Sequence, residues 1–232
     1  MNMPDKSQPQ WNGIIKTGAV AAFAMLAVMI AQILVFVVWP PPETVEAFFA
    51  LFQQSRLLGL LSLDLLYLVN NTLLILFYLG VFAALRKVSF SASLIALVLG
   101  LVGISAYYGS NTAFEMLSLS SQFAAATTDA ARLQLLAAGQ VMLETYKGTS
   151  FDVYYVLNGI MLLILAVVML RTPVFNKVTA FFALASGILM SIPSSAGAIG
   201  MVFALASLIP WAVFSVLAAL RLLQLSGTAR DQ

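Results

Sequence analysis

The chain has 232 residues, 62% of them hydrophobic and 9% charged, where a soluble domain carries roughly 45–50% apolar and about 25% charged residues. That balance excludes the soluble classes and disorder, and eleven Lys and Arg scattered singly for a net charge of +2 form no basic track for nucleic acid. The absence of Cys and His further excludes disulfides, thiol redox centres, His-ligated haem, His/Cys zinc sites and His-based catalysis.

Six apolar blocks approach the ~20 residues that a spanning helix needs, at 14–38, 57–85, 90–110, 151–170, 174–192 and 196–223. They predict an all-α polytopic bundle of six transmembrane helices. One membrane domain would fill 14–223, with cytoplasmic tails at 1–13 and 224–232. The first block is too long for the apolar core of a signal peptide and ends in Trp39-Pro40-Pro41-Pro42 without a small-residue cleavage pattern, so it reads as a retained helix. After the prolines, Val45, Phe48, Phe49 and Phe52 recur at i, i+3, i+4 and i+7, opposite Glu46, Gln53 and Gln54. This is the pattern of a short helix lying in the membrane interface.

The third block continues as helix past Asn111. Thr127, Thr128 and Asp129 then offer N-caps for a helix to about Tyr146, with Gly148 as its C-cap. Thr149 and Ser150 read as caps of the fourth block. In the fifth block only 15 residues separate Lys177 from Pro193, and the turn Pro193-Ser194-Ser195-Ala196-Gly197 carries no charge. That turn is either recessed on a polar floor or a tight surface turn. Ala183, Gly187 and Ser191 offer a close helix contact, and Pro210 a kink in the sixth block.

Basic residues collect on cytoplasmic flanks. With the N-terminus inside, Lys6, Lys16, Arg86, Lys87, Arg171, Lys177, Arg221 and Arg230 fall on the cytoplasmic side, leaving only Arg56, Arg132 and Lys147 outside. Both termini are therefore expected to be cytoplasmic.

The string D-x-x-Y-x-x-N occurs twice, as Asp64-Leu-Leu-Tyr67-Leu-Val-Asn70 and as Asp152-Val-Tyr-Tyr155-Val-Leu-Asn158, at an offset of 88. Ala96-Leu-Val-Leu-Gly100 aligns loosely with Ala183-Leu-Ala-Ser-Gly187 at 87. Together these suggest a parallel repeat of spans 2–3 and 4–5. At 1.5 Å per helical residue, Asp64 lies about 33 Å before Arg86 and Asp152 about 29 Å before Arg171. Against a hydrocarbon core about 30 Å thick, both carboxylates sit near the outer boundary.

These positions predict an outward-facing polar vestibule lined by Asp64, Tyr67, Asn70, Asn71, Tyr107, Asn111, Glu115, Asp152, Tyr155 and Asn158. It would receive an ion, a small polar molecule or a lipid head group. The same residues also fit structural roles. Asp favours a first helical turn, Tyr favours membrane interfaces, and Asn joins neighbouring helices.

The chain resembles an uncharacterised family of bacterial integral membrane proteins of about 230 residues and roughly six spans, catalogued as a domain of unknown function. The resemblance rests on Leu61-Ser-Leu-Asp64-Leu-Leu-Tyr67-Leu-Val-Asn70-Asn71 with Leu85-Arg86-Lys87, on Gly109-Ser-Asn111-Thr-Ala-Phe114-Glu115-Met116, and on Ser150-Phe-Asp152-Val-Tyr-Tyr155-Val-Leu-Asn158-Gly159. It implies a bacterial plasma (inner) membrane and no particular activity. The expected function is a binding or transport module without cofactor or metal. The alternative is a non-catalytic assembly or regulatory subunit that binds other membrane proteins. An enzyme reading is confined to Asp64 and Asp152 as acid and base, or as a hard-metal site with Glu115.

Overall fold

The computed structural model describes residues 8–227; the tail charges of Asp5, Lys6, Arg230 and Asp231 lie outside the described residues. Among those residues the chain forms ten helices and no strand: α1 (Gln8–Val38), α2 (Val45–Gln54), α3 (Arg56–Ser62), α4 (Leu65–Leu85), α5 (Phe90–Ser110), α6 (Ala113–Ala125), α7 (Asp129–Lys147), α8 (Thr149–Leu170), α9 (Lys177–Met190) and α10 (Gly197–Gly227).

The long apolar helices pack in a closed circuit, α1 on α4 and α10, α10 on α9, α9 on α8, α8 on α5 and α5 on α4. Their interior is filled from several helices. Phe77 and Tyr78 of α4 meet Trp211 of α10, and Phe77 also meets Phe214. Small residues set the closest approaches. A Cβ on Gly18 of α1 would lie 2.7 Å from Gly80 Cα of α4. The expected small-residue contact is made by Gly187 of α9, whose Cβ would lie 2.9 Å from the Gly159 carbonyl of α8. Backbones come this close in membrane bundles because dispersion and weak polar contacts, rather than hydrophobic exclusion, hold the helices together.

A second, smaller core lies at one end, built from α2, α3, α6 and α7 around Val45, Phe48, Phe49, Phe52, Leu63, Ala113, Met116 and Leu143. The apolar stripe of α2 therefore faces protein, packed against α3, α6 and α7. Gln53 Nε2 donates to the Ser120 carbonyl at 2.8 Å, and Ser120 Oγ to the Phe49 carbonyl at 3.0 Å, tying α2 to α6. Thr128 caps α7 as expected, accepting from Ala131 N at 3.2 Å, and Gly148 ends it. Thr149 and Ser150 do not cap α8. They form its first turn, and Gly148 occupies the cap position.

Two expected blocks change. The second breaks into α3 and α4 at Leu63–Asp64. The fifth shrinks to α9, whose 14 residues reach only about 21 Å. Its helix starts late because Asn176 caps it, the side-chain oxygen accepting from Thr179 N at 2.7 Å, while Phe175 is buried ahead of it. Five helical stretches are long and apolar enough to cross a membrane: Trp11–Val38, Leu65–Leu85, Phe90–Ala125, Asp129–Leu170 and Gly197–Gly227. This is the composition of a multi-pass membrane protein.

Candidate functional site

The break between α3 and α4 creates the site. Asp64 is the one non-glycine residue with positive φ among the described residues, at φ 60° and ψ 34°. This left-handed conformation costs an L-residue about 1–2 kcal/mol and is tolerated best by Asn and Asp. Side chains from other helices hold the turn: Gln32 Nε2 of α1 donates to the Leu61 carbonyl at 2.9 Å, and Asn111 Nδ2, after α5, donates to the Leu63 carbonyl at 2.8 Å. Asp64 makes no side-chain cap for α4.

Its carboxylate is instead buried beneath the small core, 7% exposed. Oδ2 accepts a hydrogen bond from the Tyr146 hydroxyl near the end of α7. Oδ1 makes no hydrogen bond of ordinary geometry, and neither does the hydroxyl of Tyr107, a residue only 2% exposed that nonetheless lies close enough to act on the carboxylate. Burial pushes the Asp64 carboxyl up to about 6, with the Tyr146 and Tyr107 hydroxyls pulling the other way.

Five tyrosines, at 67, 107, 146, 154 and 155, lie within electrostatic reach of Asp64. Their rings and that of Phe151 form one continuous cluster. Centroids are 5.1 Å apart for Tyr107 and Tyr154, 5.1 Å for Phe151 and Tyr155, 6.4 Å for Tyr67 and Tyr107, and 6.5 Å for Tyr146 and Phe151. The rings come from α4, α5, α7 and α8.

Asp152 has different surroundings. It is half-buried in the first turn of α8 and engages the turn between α9 and α10. Oδ1 accepts from Ser194 Oγ at 3.0 Å and Ser195 N at 3.2 Å, and Oδ2 from Ser195 Oγ. The uncharged turn after α9 is thus fastened to the start of α8.

Of the ten expected residues, the structure brings together Asp64, Tyr67, Tyr107 and Tyr155. Asn158 is buried deeper, accepting from the Tyr78 hydroxyl at 2.6 Å and donating to the Tyr154 carbonyl at 2.8 Å. Asn71 makes the equivalent bond to the Tyr67 carbonyl at 2.9 Å, while its Oδ1 and that of the buried Asn70 have no partner. Asn111 serves the α3–α4 turn, and Glu115 is exposed on α6.

Four of the groups expected to line an open vestibule, Asp64, Tyr67, Tyr107 and Tyr155, are instead packed into a closed aromatic cluster, and the other six lie outside it. A groove of about 560 Å³ lies at the opposite end of α5 and α8, lined by Val88, Ala92, Leu163, Val167 and Arg171 among others. Among the described residues no three Asp, Glu, His or Cys side chains assemble into a metal site, so Asp64, Glu115 and Asp152 do not form the hard-metal set considered from sequence.

Sequence reasoning missed Tyr146, Tyr154, Phe151 and Gln32. Gln32 carried a signal, being a lone amide within a long apolar block. Tyr154 stood beside Tyr155 in the second string, but nothing local marks Tyr146 as the partner of Asp64, 82 residues earlier. No family model, curated protein or solved structure matches this chain.

Proposed function

We infer that the protein is a binding or transport module of the bacterial plasma membrane, taking a cation, a small polar molecule or a lipid head group at Asp64. The observation that carries this reading is the pair of buried, unpartnered polar atoms, Asp64 Oδ1 and the Tyr107 hydroxyl. A buried acceptor without a donor costs about 1–3 kcal/mol, more when charged; of the buried polar atoms without a hydrogen bond among the described residues, Asp64 Oδ1 alone belongs to an acidic side chain, where that cost is largest and points to a role other than stability. Gentle detergent extraction followed by native mass spectrometry tests it. A small molecule retained by the wild type and lost from Asp64→Asn is the expected result; identical spectra without any adduct overturn the reading.

The subunit reading draws on one observation. Leu133 and Val141 of α7 are 70% and 58% exposed, and with exposed Ala137 they form an apolar stripe at i, i+4, i+8 outside the small core. A stoichiometric partner chain in the same spectra, released when Leu133 and Val141 are replaced by Ser, would favour it.

In this reading α9 and the turn after it together make a sixth crossing, the Asp152 bonds satisfying polar groups of the turn where no helix does. Both termini are cytoplasmic, in keeping with the basic residues, and the bacterial setting follows the family resemblance. The parallel repeat rests on the two strings at an offset of 88; the bonds of Asn71 to Tyr67 and Asn158 to Tyr154 match at 87, one residue out of that register. Because the chain has no cysteine, single cysteines at Thr127 and Val88, both exposed, report the orientation. An impermeant thiol reagent labels the first in sealed cells and not the second; the reverse pattern overturns the topology.

A further inference from the structure

We propose that the ligand of the Asp64 site carries an alkylated ammonium group, held by the carboxylate and by the aromatic faces around it. This rests on the reading of Asp64 as a binding residue and names the chemistry that the site selects.

The argument starts from charge. Among the described residues Asp64 has no cationic partner; the groups acting on its carboxylate are the Tyr146 and Tyr107 hydroxyls. An ionised carboxylate in such a place needs a cation from outside the protein or else a proton. One carboxylate supplies one negative charge, and no second acidic or metal-ligating side chain joins it in a cluster. A divalent metal is disfavoured on that count alone, since calcium takes 6–8 oxygen ligands and magnesium gives up its water reluctantly. Among the described residues the Asp64 carboxylate offers one oxygen without a hydrogen bond, Oδ1, with the Tyr107 hydroxyl close by, which falls well short of such a ligand set.

What the site offers in quantity is π surface. Tyr67, Tyr107, Tyr146, Tyr154 and Tyr155 lie within electrostatic reach of one carboxylate, and Phe151 joins their rings into one cluster drawn from four helices. Aromatic faces attract cations through the ring quadrupole, most effectively when the cation is desolvated, and aromatic cages recognise quaternary ammonium in this way. An alkylammonium is the cation least penalised by loss of water in such a place. Its methyl groups lie against the rings while its charge meets Asp64.

The rings touch one another as the chain stands, so a ligand must part them. Tyr146 is the residue placed to move. It is half-buried, lies in the last turn of α7 two residues before the Gly148 cap, and holds Asp64 by a single hydroxyl. An ammonium that takes Asp64 displaces that hydroxyl while leaving the ring as part of the cage.

The experiment uses the full chain in detergent at pH 8, with thermal unfolding measured against tetramethylammonium, choline, sodium, potassium and calcium chlorides at equal ionic strength. Tetramethylammonium and choline are expected to raise the melting temperature by about 5–10 °C at a hundredfold excess over Kd; sodium, potassium and calcium are expected to leave it unchanged. Asp64→Asn loses the shift. Tyr154→Phe keeps the ring and the shift, and Tyr154→Leu weakens binding at least about tenfold, in line with the loss of one desolvated cation–π contact. Tyr146→Phe binds at least as tightly as the wild type. This variant serves where Asp64→Asn does not fold, because weaker binding in it overturns the proposal.

Stabilisation by a metal cation alone, abolished in Asp64→Asn, overturns the alkylammonium class and leaves the Asp64 binding reading standing. Equal shifts in wild type and Asp64→Asn overturn both. Nanodiscs of phosphatidylglycerol with and without phosphatidylcholine separate the sources. A shift with phosphatidylcholine and not with free choline assigns the group to a lipid head, and the converse assigns it to a soluble amine.

Discussion

Asp64 and Asp152 open the same seven-residue string, yet the chain treats them oppositely. Asp152 sits in the first turn of a continuous helix, partly open, with both oxygens engaged by the α9–α10 turn. Asp64 sits in a left-handed break between two helices, closed in by tyrosines, with one oxygen left over. Asp152 fastens two parts of the bundle together, whereas Asp64 is held in place by other parts and left with unused bonding capacity. A short string of polar residues thus fixes the kind of groups present at the start of a helix, while the neighbouring helices decide whether those groups are fully engaged or left with bonding capacity to spare.

The contrast breaks most visibly with pH. The folded pKa of Asp64, about 6, lies above its ordinary 3.8, so the protonated form is favoured by folding. Its contribution is fully present below about pH 4, is lost as pH rises through 6, and amounts to about 3 kcal/mol. Unfolding titrations between pH 4 and pH 7.5 should show this loss in the wild type and in Asp152→Asn, and lack it in Asp64→Asn. The same slope in Asp64→Asn would show that the two carboxylates do not differ in the way described.

A smaller effect tests the clasp. Asp152→Ala removes the acceptor for Ser194 Oγ, Ser195 N and Ser195 Oγ together, and hydrogen bonds to a charged group contribute about 1.5–3 kcal/mol. Because the site is half-exposed, a total loss of about 2 kcal/mol is expected, concentrated locally. Hydrogen exchange across residues 191–197 should quicken in Asp152→Ala, while Asp64→Asn leaves that segment unchanged. Unaltered protection there would remove the clasp.

The third members of the two strings separate least. Asn158 joins the Tyr78 hydroxyl and the Tyr154 carbonyl, whereas Asn70 has its oxygen unpartnered. Asn158→Ala is therefore expected to cost about 1.5 kcal/mol and Asn70→Ala no more than about 0.5 kcal/mol. Equal costs, read from the same unfolding titrations, would argue that the strings are equivalent after all and sharpen the case for a repeat.

The amino-acid order alone determines much of this molecule. Apolar runs set the long helices, because a chain in lipid must satisfy its backbone internally. The i, i+3, i+4, i+7 spacing of Val45, Phe48, Phe49 and Phe52 sets α2, and Thr128 and Gly148 mark the ends of α7 by local hydrogen bonding. These are properties of neighbouring residues, so they can be read along the chain. The break at Asp64 cannot. Leu61-Ser62-Leu63-Asp64-Leu65-Leu66 contains no glycine or proline, and the turn is held by Gln32 and Asn111, which are 29 and 48 residues away from the carbonyls they reach. Nor does hydropathy reveal which of several hydroxyls meets the carboxylate. Tyr146 does so because α7 packs on α2, α5, α6 and α8, and that is a pairwise property of distant helices, set by packing rather than by any local preference.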